Sequence, residues 1–435
     1  MIYKKTLQIY NRPFIRNVSM VAGGTASAQA LSMLFSPVVT RLYGPETYGL
    51  QGVFMSIAGV LGGVAALTYP IAIVLPKSDT DATGLAWLSI YVGGVVSLLT
   101  TIVLFFFGHK ILTILKAETI SDFIYLIPVF MFFTTVNMVA SQWLIRKKTF
   151  KLTAKIMVLQ TLIINLIKAW LGFVNPTATV LIITNTFGAL LSPIMMLYSL
   201  LTTRKNSNKE VQDPQIVLSK LDLAKRHIDF PLLRAPQILL NSISQSLPIM
   251  MLATYFGPAS AGFYSIACVV LSIPTGLIGN SVMQVFYPRI NEAIDRKEDV
   301  KALIIKATIG LALSGLLPFT IVIIAGPTLF DFVFGTEWQL AGVYAQWLSI
   351  WLFFQYINKP AVSAIPALRL QKGLLIYELF STSTKVLALY IGYTHYKSDV
   401  VAIALFSLFG VAAYLWLILW VIFHSGKLSI HTVHE

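Results

Sequence analysis

Apolar runs of helix-spanning length recur from one end of the chain to the other, separated by short polar segments. An α-helix needs about 20 apolar residues to cross the roughly 30 Å hydrocarbon core of a bilayer. Twelve runs meet that length: Val18 to Thr40, Thr47 to Leu75, Gly84 to Phe107, Phe123 to Ile145, Thr153 to Phe173, Thr177 to Leu201, Ile228 to Tyr255, Gly262 to Tyr287, Leu303 to Ala325, Gly342 to Leu368, Leu374 to Tyr393 and Val400 to Phe423. In three places only a turn dipeptide separates two spans: Gly44-Pro45, Asn175-Pro176 and Gly257-Pro258. The longest polar stretch, Thr202 to His227, divides six runs from six. The pattern predicts an all-α polytopic membrane protein with twelve transmembrane helices. Its six-helix halves are residues 1–201 and 228–435, joined by a linker at 202–227. The segment before the first run carries Lys4, Lys5, Arg12 and Arg16 and leads into a run of full spanning length. It reads as the flank of a retained first helix, not as a removed leader.

Composition agrees. Hydrophobic residues are 56% and charged residues 11% of 435, against about 25% charged in soluble domains. The mean hydropathy is +0.76. The net charge of +14 would suggest a nucleic-acid partner in a soluble chain, so its distribution decides its meaning. With the N-terminus in the cytoplasm and sides alternating, 25 of the 32 Lys and Arg fall in cytoplasmic segments. Four fall opposite, Arg41, Lys110, Lys116 and Lys397, and three lie inside spans, Lys168, Lys359 and Lys385. That is the positive-inside distribution, with both termini cytoplasmic. A missed or extra span would scramble it. The charge excess is topology, and no nucleic acid is implied.

Catalysis is not indicated. The single cysteine, Cys268, excludes an intrachain disulfide and a cysteine-rich metal site. The six histidines are scattered outside the spans, and no nucleophilic triad, metal-ligand spacing or nucleotide loop appears. The longest outside segments, near His109 to Asp122 and Gly326 to Ala341, are too short for a domain. No enzyme activity and no cofactor are expected.

The two halves echo each other. Leu42-Tyr43-Gly44-Pro45 followed by Gly49 matches Tyr255-Phe256-Gly257-Pro258 followed by Gly262, at an offset of 213. Tyr69-Pro70 matches Tyr287-Pro288, and Phe187-Gly188 matches Phe409-Gly410. Six helices is an even number, so the halves share orientation about a pseudo-twofold axis along the membrane normal, an arrangement that suits alternating access. Pro37, Pro274, Pro318, Pro360 and Pro366, with the runs Gly59 to Gly63 and Gly276 to Gly279, supply bending points.

Several of these segments resemble a known family. They are Ser36-Pro37 to Arg41-Leu42-Tyr43, Tyr48-Gly49, and Tyr69-Pro70-Ile71-Ala72-Ile73-Val74-Leu75-Pro76-Lys77. A later set comprises Phe334-Gly335-Thr336-Glu337-Trp338, Ala341-Gly342, Tyr344-Ala345-Gln346, Gln355 and Pro360. Together they resemble the Wzx-type O-antigen and capsule flippases of the MOP (MATE-like) exporter superfamily, over essentially the whole chain. The resemblance implies a MATE-like fold in a bacterial cytoplasmic (inner) membrane. It further implies transport, in lipopolysaccharide or capsule biosynthesis, of an undecaprenyl-pyrophosphate-linked oligosaccharide from the inner to the outer leaflet. Membrane lipids, a polysaccharide polymerase and a chain-length regulator are the partners it implies. Lipid II flippases of the same superfamily typically have fourteen helices, which the count of twelve does not match.

A carrier of such a lipid must hold a pyrophosphate where the dielectric is low. Intramembrane cations are therefore the candidate substrate-binding residues: Lys359 and Lys385 deep in spans ten and eleven, and Lys168 in span five. Lys168 and Lys385 are related by an offset of 217. Arg41 at an outer helix end, and Arg234 and Arg289 at inner ends, are further candidates. Each also has a plain reading as an interface anchor or a positive-inside charge. Glu378 is the candidate for ion coupling. It lies seven residues before Lys385, on the same helix face but about 10 Å along it, too far for a direct bridge, and can instead pair with Lys359 on the adjacent helix. The run Ser381-Thr382-Ser383-Thr384 suggests a wet cavity beside them. Trp143, Trp170, Trp338, Trp347, Trp351, Trp416 and Trp420 mostly sit near span ends, as interface belts do. The rivals are a MATE-type antiporter, whose cationic substrates call for intramembrane acids, and a membrane enzyme acting on the same lipid-linked sugar.

Overall fold

The structure is a computed structural model and describes residues 13–115, 118–204, 219–296, 298–368 and 370–431. Lys4, Lys5, Arg12, Lys116, Lys297, Arg369 and linker residues 205–218 lie outside the described residues. Among the described residues all regular structure is helical. The long helices are α1 (Pro13–Val64), α2 (Asp79–Leu115), α3 (Leu126–Arg146), α4 (Phe150–Val174), α5 (Ala178–Arg204), α6 (Ala235–Phe256), α7 (Pro258–Pro274), α8 (Asn280–Asp295), α9 (Val300–Phe334), α10 (Gln339–Ile357), α11 (Lys359–Ala367), α12 (Gln371–Ile391) and α13 (Asp399–His431). Eight helices among the described residues are long and apolar enough to cross a membrane. Their outer faces carry large apolar side chains that water would not favour; Phe106 is 71% exposed and Ile324 75%. Helices apolar all round are those solvated by lipid or by protein.

All twelve expected spans fall on helical stretches, with breaks that hydropathy does not show. The first two spans are continuous in α1 and bend at Gly44, where φ is 68° and ψ 168°. The second span was expected to reach Leu75. Its helix stops at Val64, Leu67 and Thr68 turn left-handed (φ 48° and 60°), and a short helix Tyr69–Ala72 follows. Span eight is broken after Pro274 by a wide turn, Thr275–Gly279, before α8. Span ten is broken at Asn358, where Pro360 enters the first turn of α11. In each case Pro or Gly removes a backbone donor or relaxes the chain within a continuous apolar run. Span nine was expected to end at Ala325, but α9 runs on to Phe334, so most of that outside segment is helix.

The contacts gather into two compact units: Met1–Tyr43 with Leu50–Met250, and Gly44–Gly49 with Met251–Glu435. In the first, α3 packs on α2 and α5, and α4 packs on α5. Arg146 at the end of α3 organises one end of this unit. Its guanidinium donates to the carbonyls of Ile73 (3.2 Å), Pro76 (2.5 Å) and Lys77 (3.3 Å), and to Asp79 Oδ1 (2.9 Å). Lys147 pairs with the other carboxylate oxygen of Asp79. The side chain of Arg146 is only 10% exposed. One planar fork thus satisfies the carbonyls released where the second span unwinds, a task a lysine ammonium cannot reproduce.

In the second unit α10 is the hub, packing on α7, α9 and α13. The repeated turn motif lies here. Gly44 and Gly257 both have positive φ (68° and 95°), and each is followed by a proline. A Cβ on Gly49 would stand 1.7 Å from the carbonyl oxygen of Pro258. A Cβ on Gly262 would stand 2.0 Å from that of Pro45. The contact is reciprocal, as expected of two copies of one motif related by a twofold. Beside it Trp338, 1% exposed, receives the edges of Tyr48 and Phe263, and Phe263 meets Tyr344. Backbones also meet where α9 crosses α10. A Cβ on Gly342 would lie 2.4 Å from the oxygen of Gly326, and Gln346 Nε2 donates to the oxygen of Ile323 (2.8 Å).

Two outcomes are expected. Gly49→Ala and Gly262→Ala each lower stability by about 1–3 kcal/mol. The double variant loses less than the sum, because both disturb one contact. Thermal unfolding of the purified protein in detergent measures this, and an unaltered midpoint in both single variants contradicts the crossing. Arg146→Lys destabilises by about 2–3 kcal/mol, nearly as much as Arg146→Ala, because the carbonyl bonds need the fork. Full rescue by lysine in the same measurement contradicts the clamp.

Candidate functional site

Helix α12 carries the intramembrane residue with the most defined surroundings. Tyr377, Ser381, Ala388 and Leu389 form its buried face, at the three- and four-residue spacings that share one side of a helix. Lys385 lies one turn after Ser381 on that side and is half-buried. Its ammonium sits over two rings, 5.4 Å from the centroid of Trp351 on α10 and 5.9 Å from that of Phe406 on α13. The rings meet edge to face at 5.0 Å. Trp351 is seated by Gly410, where a Cβ would lie 2.3 Å from its Cδ1. The indole Nε1 is buried without a hydrogen-bond partner. Nearby on the same helices, Gln355 Nε2 donates to the Tyr414 hydroxyl at 2.9 Å.

Among the described residues no carboxylate makes a salt bridge to this lysine, although Glu378, two turns earlier on the same helix face, acts on it through space. Glu378 is exposed, and among the described residues it forms no ion pair with Lys385 or with Lys359. The expected Glu378–Lys359 pair is not made. Glu378 lies seven residues before Lys385 and so shares its face of α12; Glu378 is exposed, whereas the Lys385 ammonium turns toward α10 and α13. Two aromatic faces supply negative quadrupole density, worth about 0.5–2 kcal/mol each depending on desolvation, but they add no formal charge. The cation is held in place with its charge still available to an anion. The expected wet patch is only partly polar in character. Ser381 is buried, and the Thr384 hydroxyl returns to the carbonyls of Phe380 and Ser381 (both 3.0 Å).

A ladder of rings continues from this site along α13. Tyr377 stacks on Trp416 with planes 4° apart, and Trp416 on Trp420 with planes 8° apart. His424 follows at 5.0 Å. Trp416, Trp420 and His424 are four apart, so they stand one above the other on one helix face. Gly373 leaves room for the indole of Trp420, which a Cβ would meet at 2.4 Å.

The other predicted residues occupy separate surroundings. Lys359 opens α11 at the break in span ten and is half-buried. Its Cγ stands 3.5 Å from where a Cβ of Gly279 would be, with Tyr356 alongside. Lys168, in the first unit, is half-buried on α4, and its carbonyl accepts the hydroxyl of Tyr43 at 2.8 Å. Arg41 is exposed three residues before the Gly44 bend. Arg234 is exposed and donates to Gln237 Oε1 at 3.0 Å. Arg289 pairs with Glu298, so a local acid already answers its charge. Trp351 and Phe406, which frame Lys385, were not legible as partners. Their spacing in sequence carries no sign of the shared contact, and Trp351 had been grouped with interface aromatics.

Comparison with known proteins places this architecture. A family model described as "Polysaccharide biosynthesis protein" matches residues 38–342. The succinoglycan biosynthesis transport protein ExoT of Rhizobium meliloti (strain 1021) is 23% identical over 332 residues, which is 75% of this chain and 63% of that protein. The chain thus spans less than two thirds of that relative's length. Among solved structures, an inward-facing multidrug resistance MATE family transporter of the MOP superfamily superposes with a TM-score of 0.71 at 14% identity, covering 92% of this chain and 95% of its own. The lipid II flippase MurJ in an inward closed conformation superposes with a TM-score of 0.69, also at 14% identity, covering 95% and 90%. Such identities establish a shared fold. With the family model spanning well over half of its length, the chain belongs to the polysaccharide biosynthesis protein family and has the MATE-like fold of the MOP superfamily.

Proposed function

We propose that the protein is a flippase that carries an oligosaccharide linked to undecaprenyl pyrophosphate from the inner to the outer leaflet of a bacterial cytoplasmic membrane. The route is alternating access, and both termini are cytoplasmic. The observation that carries the reading is Lys385, a cation in mid-span that rests on Trp351 and Phe406, while Glu378, the acid that acts on it, is exposed and, among the described residues, makes no salt bridge to it. A half-buried cation that no acid contacts directly is costly in a membrane, and a ligand of opposite sign relieves that cost. Pyrophosphate does so, and the Trp416–Trp420 ladder offers flat faces on which sugar rings stack. Lys359, at the break in span ten, is a second cation of the same kind. The relative named for succinoglycan transport and the fold shared with a lipid II flippase support the same substrate class. The protein acts as a carrier and not a catalyst, and it hands its cargo to a polymerase and chain-length regulator.

A multidrug antiporter is the second reading, favoured by the fold likeness to a MATE transporter. Cationic drugs call for acids inside the membrane, and here Lys168, Lys359 and Lys385 are half-buried away from the span ends, while Glu378 is exposed and the half-buried Asp331 stands in the last turn of α9.

Flipping of a lipid-linked oligosaccharide is measured in sealed proteoliposomes by the leaflet in which the sugar is found. Lys385→Gln reduces the rate at least about tenfold, equivalent to 1.4 kcal/mol, whereas Lys385→Arg retains most of it. Trp351→Leu gives an intermediate loss, because the ammonium loses one of its two rings. Flipping at the wild-type rate by well-folded Lys385→Gln removes the lysine from the mechanism.

A further inference from the structure

A second polar site lies in the first unit, and none of the residues considered above as substrate ligands belongs to it. A cavity of about 510 Å³ opens between the Leu75–Ser78 loop and the short helix Lys220–Arg226. Lys77, Asp81, Arg226 and His227 are the ionisable residues that line it. Its walls are set by features already described. Arg146 holds the carbonyls of Pro76 and Lys77, which fixes the loop. Leu223, 1% exposed, seats against Gly84, where a Cβ would lie 2.6 Å from its Cδ1. That seat brings Arg226 and His227, one turn further along the short helix, toward Asp81, one turn before Gly84. The volume lies within the range of small-ligand sites.

The chemistry of the lining is divided. Asp79, two residues before Asp81, is already answered by Arg146 and Lys147, and Asp222 accepts the hydroxyl of Ser219 at 2.7 Å. Among the described residues neither Lys77 nor Arg226 forms an ion pair, so both can meet an anion, with His227 as a further donor. Asp81 has the opposite need, since its Oδ1 is buried and has no hydrogen-bond partner. A buried carboxylate oxygen left without donors is costly, and it is satisfied by hydroxyl or amide hydrogens. A ligand that meets both needs carries phosphate at one end and hydroxyl donors beside it.

We propose that this cavity binds a glycosyl phosphate, with the phosphate on Lys77 and Arg226 and a sugar hydroxyl donating to Asp81. The inference rests on the flippase reading, under which this end of the unit faces the cytoplasm and the ligand is the head of the lipid-linked sugar before transport. The same chemistry occurs in soluble sugar phosphates.

Full-length protein in nanodiscs is titrated with glucose 1-phosphate, with inorganic phosphate, with glucose, and with glucose linked to polyprenyl phosphate in the disc. The expected order is glycosyl phosphate, soluble or lipid-linked, well above phosphate or glucose alone. Lys77→Gln with Arg226→Gln weakens it at least tenfold, and Asp81→Asn weakens it several-fold while leaving inorganic phosphate unchanged or tighter. Binding of the lipid-linked form alone assigns the site to the membrane substrate, and binding of the soluble form assigns it to the free ligand. Failure of both to bind, or equal binding by the double variant with its thermal midpoint intact, overturns the proposal. So does an Asp81→Asn variant with unchanged preference for sugar phosphate over phosphate. Flipping measured in parallel separates the two claims: flipping without head-group binding removes this site, whereas head-group binding without flipping removes the transport reading.

Discussion

The contact of Gly49 with the Pro258 carbonyl, mirrored by Gly262 with the Pro45 carbonyl, is the constraint on which the second unit depends. Backbone approaches backbone there at distances that leave no room for a side chain. The two positive-φ glycines that precede the prolines set the direction in which each helix leaves its turn. Tyr48, delivered by one of those helices, and Phe263, delivered by the other, close on Trp338. Trp338 in turn begins the hub helix α10, whose far turns carry Trp351 and Tyr356. The surroundings of Lys385 are thus reached through a continuous series of packed groups that starts at two glycines.

The first unit solves a different problem with the same economy. A helix that unwinds at the membrane surface releases carbonyls, and these must be hydrogen-bonded. Arg146 accepts that role at the end of the second span, and its charge is answered by Asp79. The loop it fixes then borders a cavity with free cations and one unanswered carboxylate oxygen. In both units the groups that look available for a ligand stand next to groups whose hydrogen bonds or charges are complete.

Much of this was legible in the sequence. The helical runs, the repeat at Gly44-Pro45 and Gly257-Pro258, and the MATE-like fold follow from hydropathy, charge asymmetry and a few ordered motifs. Each of these is a local signal. The bending points at Gly59 to Gly63, Pro274 and Pro360 were legible, but not that the helix breaks there, because a Pro or Gly within an apolar run is equally compatible with a bend. The Glu378–Lys359 pair failed because helix periodicity fixes which residues share a face but not which face meets a neighbour. Glu378 is exposed, and Lys385, two turns on along the same face, reaches Trp351 and Phe406. Arg146 was read as one positive-inside charge among many. Its role as a clamp depends on carbonyls some seventy residues away, which no local pattern encodes.

The most direct test is a leaflet-resolved assay with wild-type protein in sealed proteoliposomes, offered in parallel a lipid-linked oligosaccharide and a cationic drug. The expected result is protein-dependent appearance of the sugar in the opposite leaflet, with no protein-dependent movement of the drug. Movement of the drug with the lipid-linked sugar left where it began contradicts the account and makes the protein an antiporter.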